Sequence, residues 1–308
     1  MKITTHNPLS KLRTFLFNSF IAVLLVFMLQ ACGDDDDGPT TPGSDQTVAE
    51  IAQSDDNFSE LVSALESAGL VSTLQGEGPF TVFAPTNDAF GNLDIDVGNL
   101  STEQLTEILS YHVVGQRATT ADINGQLMFS ALAGGELFIS TASGDVVLNG
   151  SATVTDADIL ASNGVIHAID QVLLPDSYLN VVGLVSKRYN LQSLEDAVVD
   201  AGLASTLQGD GPFTVFAPTN DAFANADLSG YNVEDVLTYH VLPQEVLSRD
   251  ISSGSVATVN GADLEITVNN DGSVSLTDQA GNTFNVTTVD LQGTNGVVHI
   301  IDGVLLPS

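Results

Sequence analysis

The chain has 308 residues, 7 of them Lys or Arg against 39 Asp or Glu, and a formal net charge of −32. Nucleic-acid binding rests on basic side chains neutralising phosphates, so this balance excludes nucleic acid as a partner and disfavours anionic membrane surfaces. Hydrophobic residues make up 43% and charged ones 15%, enough apolar material for packed cores, and the single cysteine excludes an internal disulfide framework and a multi-cysteine zinc site.

Lys2, Lys11 and Arg13 precede an apolar run from Phe15 to Leu29, broken only by Asn18 and Ser19. The run has the length of a signal-peptide core and falls short of the ~20 residues a spanning helix needs. Leu29-Gln30-Ala31-Cys32-Gly33 follows it and resembles a bacterial lipobox. Residues 1–31 therefore read as a lipoprotein signal peptide, and Cys32 as the lipid attachment site through which acyl chains reach a membrane. The other reading is a plain secreted protein. Residues 32–45 hold Asp34 to Asp37 and then Gly, Pro, Ser and Thr, the composition of an acidic flexible tether. An acidic run just after a lipidated cysteine also resembles the surface-export signal of Bacteroidetes-type lipoproteins. That implies an outer-membrane lipoprotein exposed at the cell surface; a hydrated spacer at the periplasmic face is the alternative.

The remainder is one unit written twice. Ser72–Phe90 and Ser205–Phe223 differ only at Glu77 and Asp210, and Asn163–Pro175 returns as Asn295–Pro307. Between these blocks Tyr111-His112-Val113 returns as Tyr239-His240-Val241. A period this long predicts tandem domains, 46–175 and 178–308, each with its own core, joined by a short junction near Asp176.

Within a copy, Asn57 and Glu60 have capping-box spacing ahead of a helix bearing Leu61, Leu65 and Ala68, whose counterpart spans 190–202. Phe80 to Phe83 predicts a short buried strand, entered by Gly78-Pro79 and ended by Pro85. Thr86-Asn87-Asp88 has the composition of a helix N-cap. Ser101 and Gln104 form another capping box, followed by a helical stripe of Leu105, Ile108, Leu109 and His112. Later segments are β-branched with Gly and Asn turns, including a hairpin signal at Asn269 to Gly272, and each copy closes on a strand such as Gly164 to Asp170. Helices first and antiparallel strands later predict an α+β class.

The FTVFAPTNDAF block, the Tyr-His pair and the NGV(I/V)H ending together resemble the marker motifs of the fasciclin, or FAS1, domain family, twice over and in order. The resemblance implies two tandem domains, each a β-wedge of about seven strands with several helices packed on it. It also implies a non-catalytic adhesion or extracellular-matrix interaction role. Animal members use positions at and before the Tyr-His pair for receptor binding. Carried over, these are Glu107, Ile108, Tyr111 and His112 in the first copy and Asp235, Val236, Tyr239 and His240 in the second. Glu107 and Val236 depart from the Asp-Ile pair of that stretch, which puts integrin contact in doubt.

No G-x-S-x-G, H-E-x-x-H or P-loop occurs, and the histidines lack metal-ligand spacing, so no catalytic residue, metal or cofactor is assigned. His112, His167, His240 and His299 with Asp88, Asp170, Asp221 and Asp302 leave two readings. One is a His–Asp pair serving a hydrolase or small-ligand site. The other is buried polar residues that lock the core. The expected partners are a membrane through Cys32 and an extracellular protein or polysaccharide. The first domain holds 17 acidic residues and one base, Arg117, and the second 16 and three. Binding through such surfaces is expected to need screening salt or bridging divalent cations.

Overall fold

The computed structural model describes residues 45–93, 95–123, 128–141 and 144–307. The signal segment expected over residues 1–31, Cys32 and nearly all of the tether expected over 32–45 lie outside the described residues. Both copies fall within one compact unit, Pro42–Ser308.

The first copy opens with helices α1 (Val48–Ser54), α2 (Ser59–Ala68) and α3 (Val71–Leu74). Strand β1 (Phe80–Pro85), α4 (Asn87–Gly91), α5 (Thr102–Tyr111), β2 (Val113–Val114) and α6 (Thr120–Ile123) follow. The copy ends in β3 (Met128–Ser130), β4 (Glu136–Ser140), β5 (Val147–Leu148), β6 (Ala152–Ala161) and β7 (Gly164–Ile169). These pair into a seven-stranded sheet in the order β2-β1-β7-β6-β5-β4-β3.

The second copy repeats the plan. Its helices are α7 (Val181–Ser186), α8 (Gln192–Asp200), α9 (Ala204–Gln208), α10 (Asn220–Asn225) and α11 (Val233–Tyr239). Its strands are β8 (Phe213–Pro218), β9 (Val241–Leu242), β10 (Gly254–Ala257), β11 (Asp263–Val268), β12 (Val274–Thr277), β13 (Thr283–Gly293) and β14 (Gly296–Ile301). The sheet order is β10-β11-β12-β13-β14-β8-β9, the same arrangement traced from the other edge. The α+β class and the seven-stranded sheet under several helices are as the sequence and its resemblance implied.

One pairing departs from the antiparallel expectation. β1 runs parallel to β7, from Phe80 against Gly164 to Pro85 against Ile169, and β8 and β14 do the same. A short apolar strand reads alike in either direction, so periodicity carries no sign of its partner's orientation. Buried along its whole length, β7 is a central strand covered on both faces. Val82, Ala84, Ile166 and Ala168 face the helices, packing with Phe58, Leu61, Leu65 and Leu109. Phe83 and Ile169 point the other way, into the wedge interior with Tyr111, Leu137, Ile139 and Leu148.

The repeated motifs are largely stitching. The Asn163 side chain accepts from the Val48 N–H at 2.9 Å and donates to the Leu74 and Gly76 carbonyls at 2.8 Å each. It thereby ties the start of α1, the end of α3 and the head of β7 together, and Asn295 repeats all three bonds. Gly78 lies so close to this corner that a Cβ there would sit 1.9 Å from the Asn163 carbonyl oxygen. The Thr81 hydroxyl, fully buried, donates to the Gln116 carbonyl at 2.6 Å and accepts from the Ala118 N–H at 2.8 Å.

Capping follows the sequence at two of three places. Ser101 and Gln104 form the expected box on α5, and Thr86 caps α4. Asn57 does not cap α2: it lies in a 3-10 turn, Asp56–Phe58, that is itself capped by Asp55. The Glu60 N–H at the start of α2 is instead taken by Asn87 Oδ1 at 3.0 Å, from the motif 27 residues on. Asn220 serves Ser193 in the same way at 2.9 Å. A tertiary acceptor thus replaces the local cap.

Candidate functional site

The motif histidines sit at the seams between helices and strands. His112 ends α5, and its Nδ1 lies 2.8 Å from the Ile108 carbonyl while its Nε2 accepts from the Leu173 N–H at 2.8 Å. A main-chain N–H can only donate, so the proton of the neutral ring is on Nδ1. His240 makes the same pair with the Val236 carbonyl and the Leu305 N–H, at 2.8 and 2.9 Å. Burial pushes both rings down to a pKa of about 4, which keeps them uncharged at neutral pH.

His167 and His299 lie in β7 and β14. Their Nε2 atoms donate to the Ala118 and Val246 carbonyls at 2.9 and 2.8 Å. Their Nδ1 atoms accept from the Asp158 and Asp290 N–H groups at 3.3 and 3.2 Å. The rings stack on Phe83 and Phe216. A general base needs a lone pair within reach of a substrate proton. Here both ring nitrogens of all four histidines are engaged by the main chain.

The aspartates singled out with them are elsewhere. Asp170 accepts from the Thr153 N–H at 2.7 Å and Asp302 from the Asn285 N–H at 2.7 Å, while Asp88 and Asp221 are exposed at the starts of α4 and α10. None of them reaches a histidine, so the His–Asp pairs of the sequence reading are not formed. The aspartates that do meet the histidines, through their amides, are Asp158 and Asp290. Both sit at positive φ in the irregular middle of β6 and β13, and Asp158 takes the Thr120 N–H at 2.9 Å. Both follow the repeat at the same offset as Asn163 and Asn295, a signal present in the sequence and not used.

The positions carried over from the Tyr-His stretch divide sharply. Ile108, Tyr111, His112, Val236, Tyr239 and His240 are all buried. Glu107 and Asp235 are exposed. Glu107 faces the junction, where its carboxylate accepts from Ser177 at 3.1 Å and from the Tyr178 hydroxyl at 3.3 Å.

At the junction the two copies meet through charge. Lys187 and Arg188, only 3% and 5% exposed, both pair with Asp176. Lys187 also donates to the Tyr111 hydroxyl at 2.8 Å, and Arg188 lies over the Phe138 ring at 5.2 Å. Burial disfavours the charged form of both Asp176 and Lys187. The two cations outweigh it for Asp176 and hold its carboxylate below the usual range, whereas the Lys187 ammonium ends below its own. Four basic residues lie beyond residue 31, and this contact buries two of them. Arg249 is 76% exposed and Arg117 is exposed, so the remaining surface is dominated by carboxylates.

The chain matches the Fasciclin domain family over residues 56–175 and again over 189–307. It belongs to that family. Human periostin is 30% identical over 270 residues, 85% of this chain and 31% of that protein. Pig transforming growth factor-beta-induced protein ig-h3 is 28% identical over 226 residues, 72% of this chain and 33% of that protein. The chain therefore spans about a third of the length of these two relatives. Protein sll1483 of Synechocystis is 47% identical over 138 residues, 43% of this chain and 75% of that protein. Among solved structures, a FAS1 domain pair from the insect cell adhesion molecule fasciclin I superposes with a TM-score of 0.55 at 20% identity, covering 81% of this chain and 97% of that one. That likeness shows the tandem Fasciclin fold. Against it, the motif histidines read as parts of the fold's own bonding.

Proposed function

We propose that this Fasciclin protein is a non-catalytic adhesion or extracellular-matrix interaction module, held to the cell envelope by lipid on Cys32. The observation that carries the reading is the double engagement of every motif histidine by the main chain, which leaves these residues a structural task. Adhesion is supported by the likeness to the fasciclin I domain pair, and anchoring by the lipobox-like stretch and the acidic tether. In this reading the lipid holds the protein on the outer membrane facing outward, with the periplasmic face as the alternative.

Two experiments test this. Protease shaving of intact cells is expected to remove the protein; protection until the outer membrane is opened would move it to the periplasmic face. Deleting the gene is expected to lower attachment to matrix-coated surfaces, and unchanged attachment on every surface would overturn the adhesion reading. Contacts made through the acidic outer surface are expected to strengthen with salt or calcium.

A further inference from the structure

Between the two copies lies a cleft of about 800 Å³ with polar and apolar walls, bounded by Ala89, Asn92, Leu93 and Ile95, by Asn149 and Ser151, and by residues 170–187. Its chemistry differs from that of the rest of the surface. Among its described lining residues the charged ones are Asp170 and Lys187, and both are engaged, by the Thr153 N–H and by Asp176. A cleft of similar volume in the first domain, about 720 Å³, is instead lined by Glu60, Asp88 and Asp96.

The interdomain cleft offers carboxamides and hydroxyls from Asn92, Ser151, Gln171, Asn180 and Ser186. Asn92, Ser151 and Ser186 make no side-chain hydrogen bond among the described residues. Asn180 uses its oxygen on the Gly183 N–H, and Gln171 its amide nitrogen on the Ser151 carbonyl, leaving the other half of each carboxamide available. Tyr178 supplies a half-buried ring, with Leu93 and Leu174 beside it. At the floor, Lys187 has three N–H donors and two acceptors, Asp176 and the Tyr111 hydroxyl.

We infer that this cleft binds a neutral polyhydroxylated ligand, a short run of sugar rings from an uncharged polysaccharide. Paired donor–acceptor groups match vicinal hydroxyls, and an aromatic ring with aliphatic neighbours matches the apolar face of a pyranose. The volume falls in the usual range for ligand sites, which favour domain interfaces. An anionic glycan is repelled by the surrounding carboxylates, and a neutral one is not. The inference rests on the adhesion reading for its biological sense, while the binding itself stands alone.

The test titrates full-length protein in detergent with cello-, xylo-, malto- and mannohexaose, and with a heparin hexasaccharide as anionic control, by calorimetry. At least one neutral sugar is expected to bind with a Kd of roughly 1 mM or tighter. Gln171→Ala should weaken that binding about fivefold, and Asn92→Trp, which fills the mouth from an exposed position, should abolish it without changing Tm. Binding should be the same from about 0.05 to 0.5 M NaCl, unlike contacts made through the acidic surface. No titration by any neutral sugar, tighter binding of heparin, or binding that survives Asn92→Trp would each overturn the proposal. Loss of attachment on gene deletion without sugar binding would sink the cleft and leave the adhesion reading standing; the converse result would do the opposite.

Discussion

Tyr111 and Tyr239 occupy the same place in the two copies, each fully buried at the end of the helix before the Tyr-His histidine. Their hydroxyls are satisfied differently. Tyr111 donates to the Glu136 carbonyl at 2.6 Å and is met by Asn149 at 3.3 Å and by Lys187 of the second copy at 2.8 Å. Tyr239 donates to the Asp263 carbonyl at 2.9 Å and lies beside Asp278, in a turn that is four residues longer than the matching turn after Leu148. Asp278 itself caps that turn, taking N–H groups from Asn282 at 2.8 Å and Leu306 at 3.1 Å. The first domain thus closes this end with its neighbour, and the second closes it with its own chain. Strand β4 shows the same division: Phe138 packs under Arg188, and its counterpart in β11 is the exposed Glu265. One fold carries two endings because the residues that differ lie on the face where the copies meet.

The largest expected effect is one the two copies share. Above pH 6.5 the rings of His112 and His240 are neutral in the folded and the unfolded chain. As pH falls, the unfolded chain takes up protons that the folded rings refuse until about pH 4. Stability is therefore lost between pH 6.5 and 4, by about 3 kcal/mol per histidine at full extent. Urea melts across that window should show it in both domains, and a flat profile would contradict the burial of these rings. His112→Ala, which strands the Ile108 carbonyl and the Leu173 N–H, should remove most of the first domain's share and cost about 3 kcal/mol at neutral pH.

Asp176→Asn separates the copies. It leaves Lys187 and Arg188 buried without their counter-charge, a loss of about 3 kcal/mol, at the low end for buried pairs because Asp176 is 33% exposed. Calorimetry should show one transition dividing into two, with the first domain melting earlier. A single transition at an unchanged Tm would mean that the junction does not couple the domains.

The smallest effect sharpens the contrast. Tyr111→Phe removes a hydroxyl with three partners and should cost about 2 kcal/mol, whereas Tyr239→Phe should cost about 1 kcal/mol. Equal losses in denaturant melts would argue against the borrowed ending of the first domain. Burial raises the pKa of both phenols, to about 12 for Tyr239 and further for Tyr111, so neither should ionise in native protein at pH 10 by ultraviolet titration.

Much of the fold was legible because its signals are local or repeated. The Ser101–Gln104 box, the β1 strand ended by Pro85 and the hairpin at Asn269 each depend on neighbours along the chain. The failures share one cause. Asn57 had the right spacing for a cap, but the acceptor came from Asn87, brought over by the packing of α4 on α2. The repeated histidines and aspartates of the motifs suggested a His–Asp pair in each domain, whereas the His167 ring meets the amide of Asp158 across the β6–β7 pair. Lys187 and Arg188 look like ordinary surface bases until the junction covers them. The interdomain cleft has no sequence signature, because its walls come from segments far apart in the chain.

The sequence by itself determined the repeat, the class, the family and the overwhelming negative charge, because these live in composition, spacing and long exact matches. Only the tertiary structure decided which motif residues bond to which, that the His112 and His240 rings are neutral, and that the second copy's cations close the first copy's end. Those outcomes turn on desolvation and on contacts between residues distant in the chain, which no window of sequence contains.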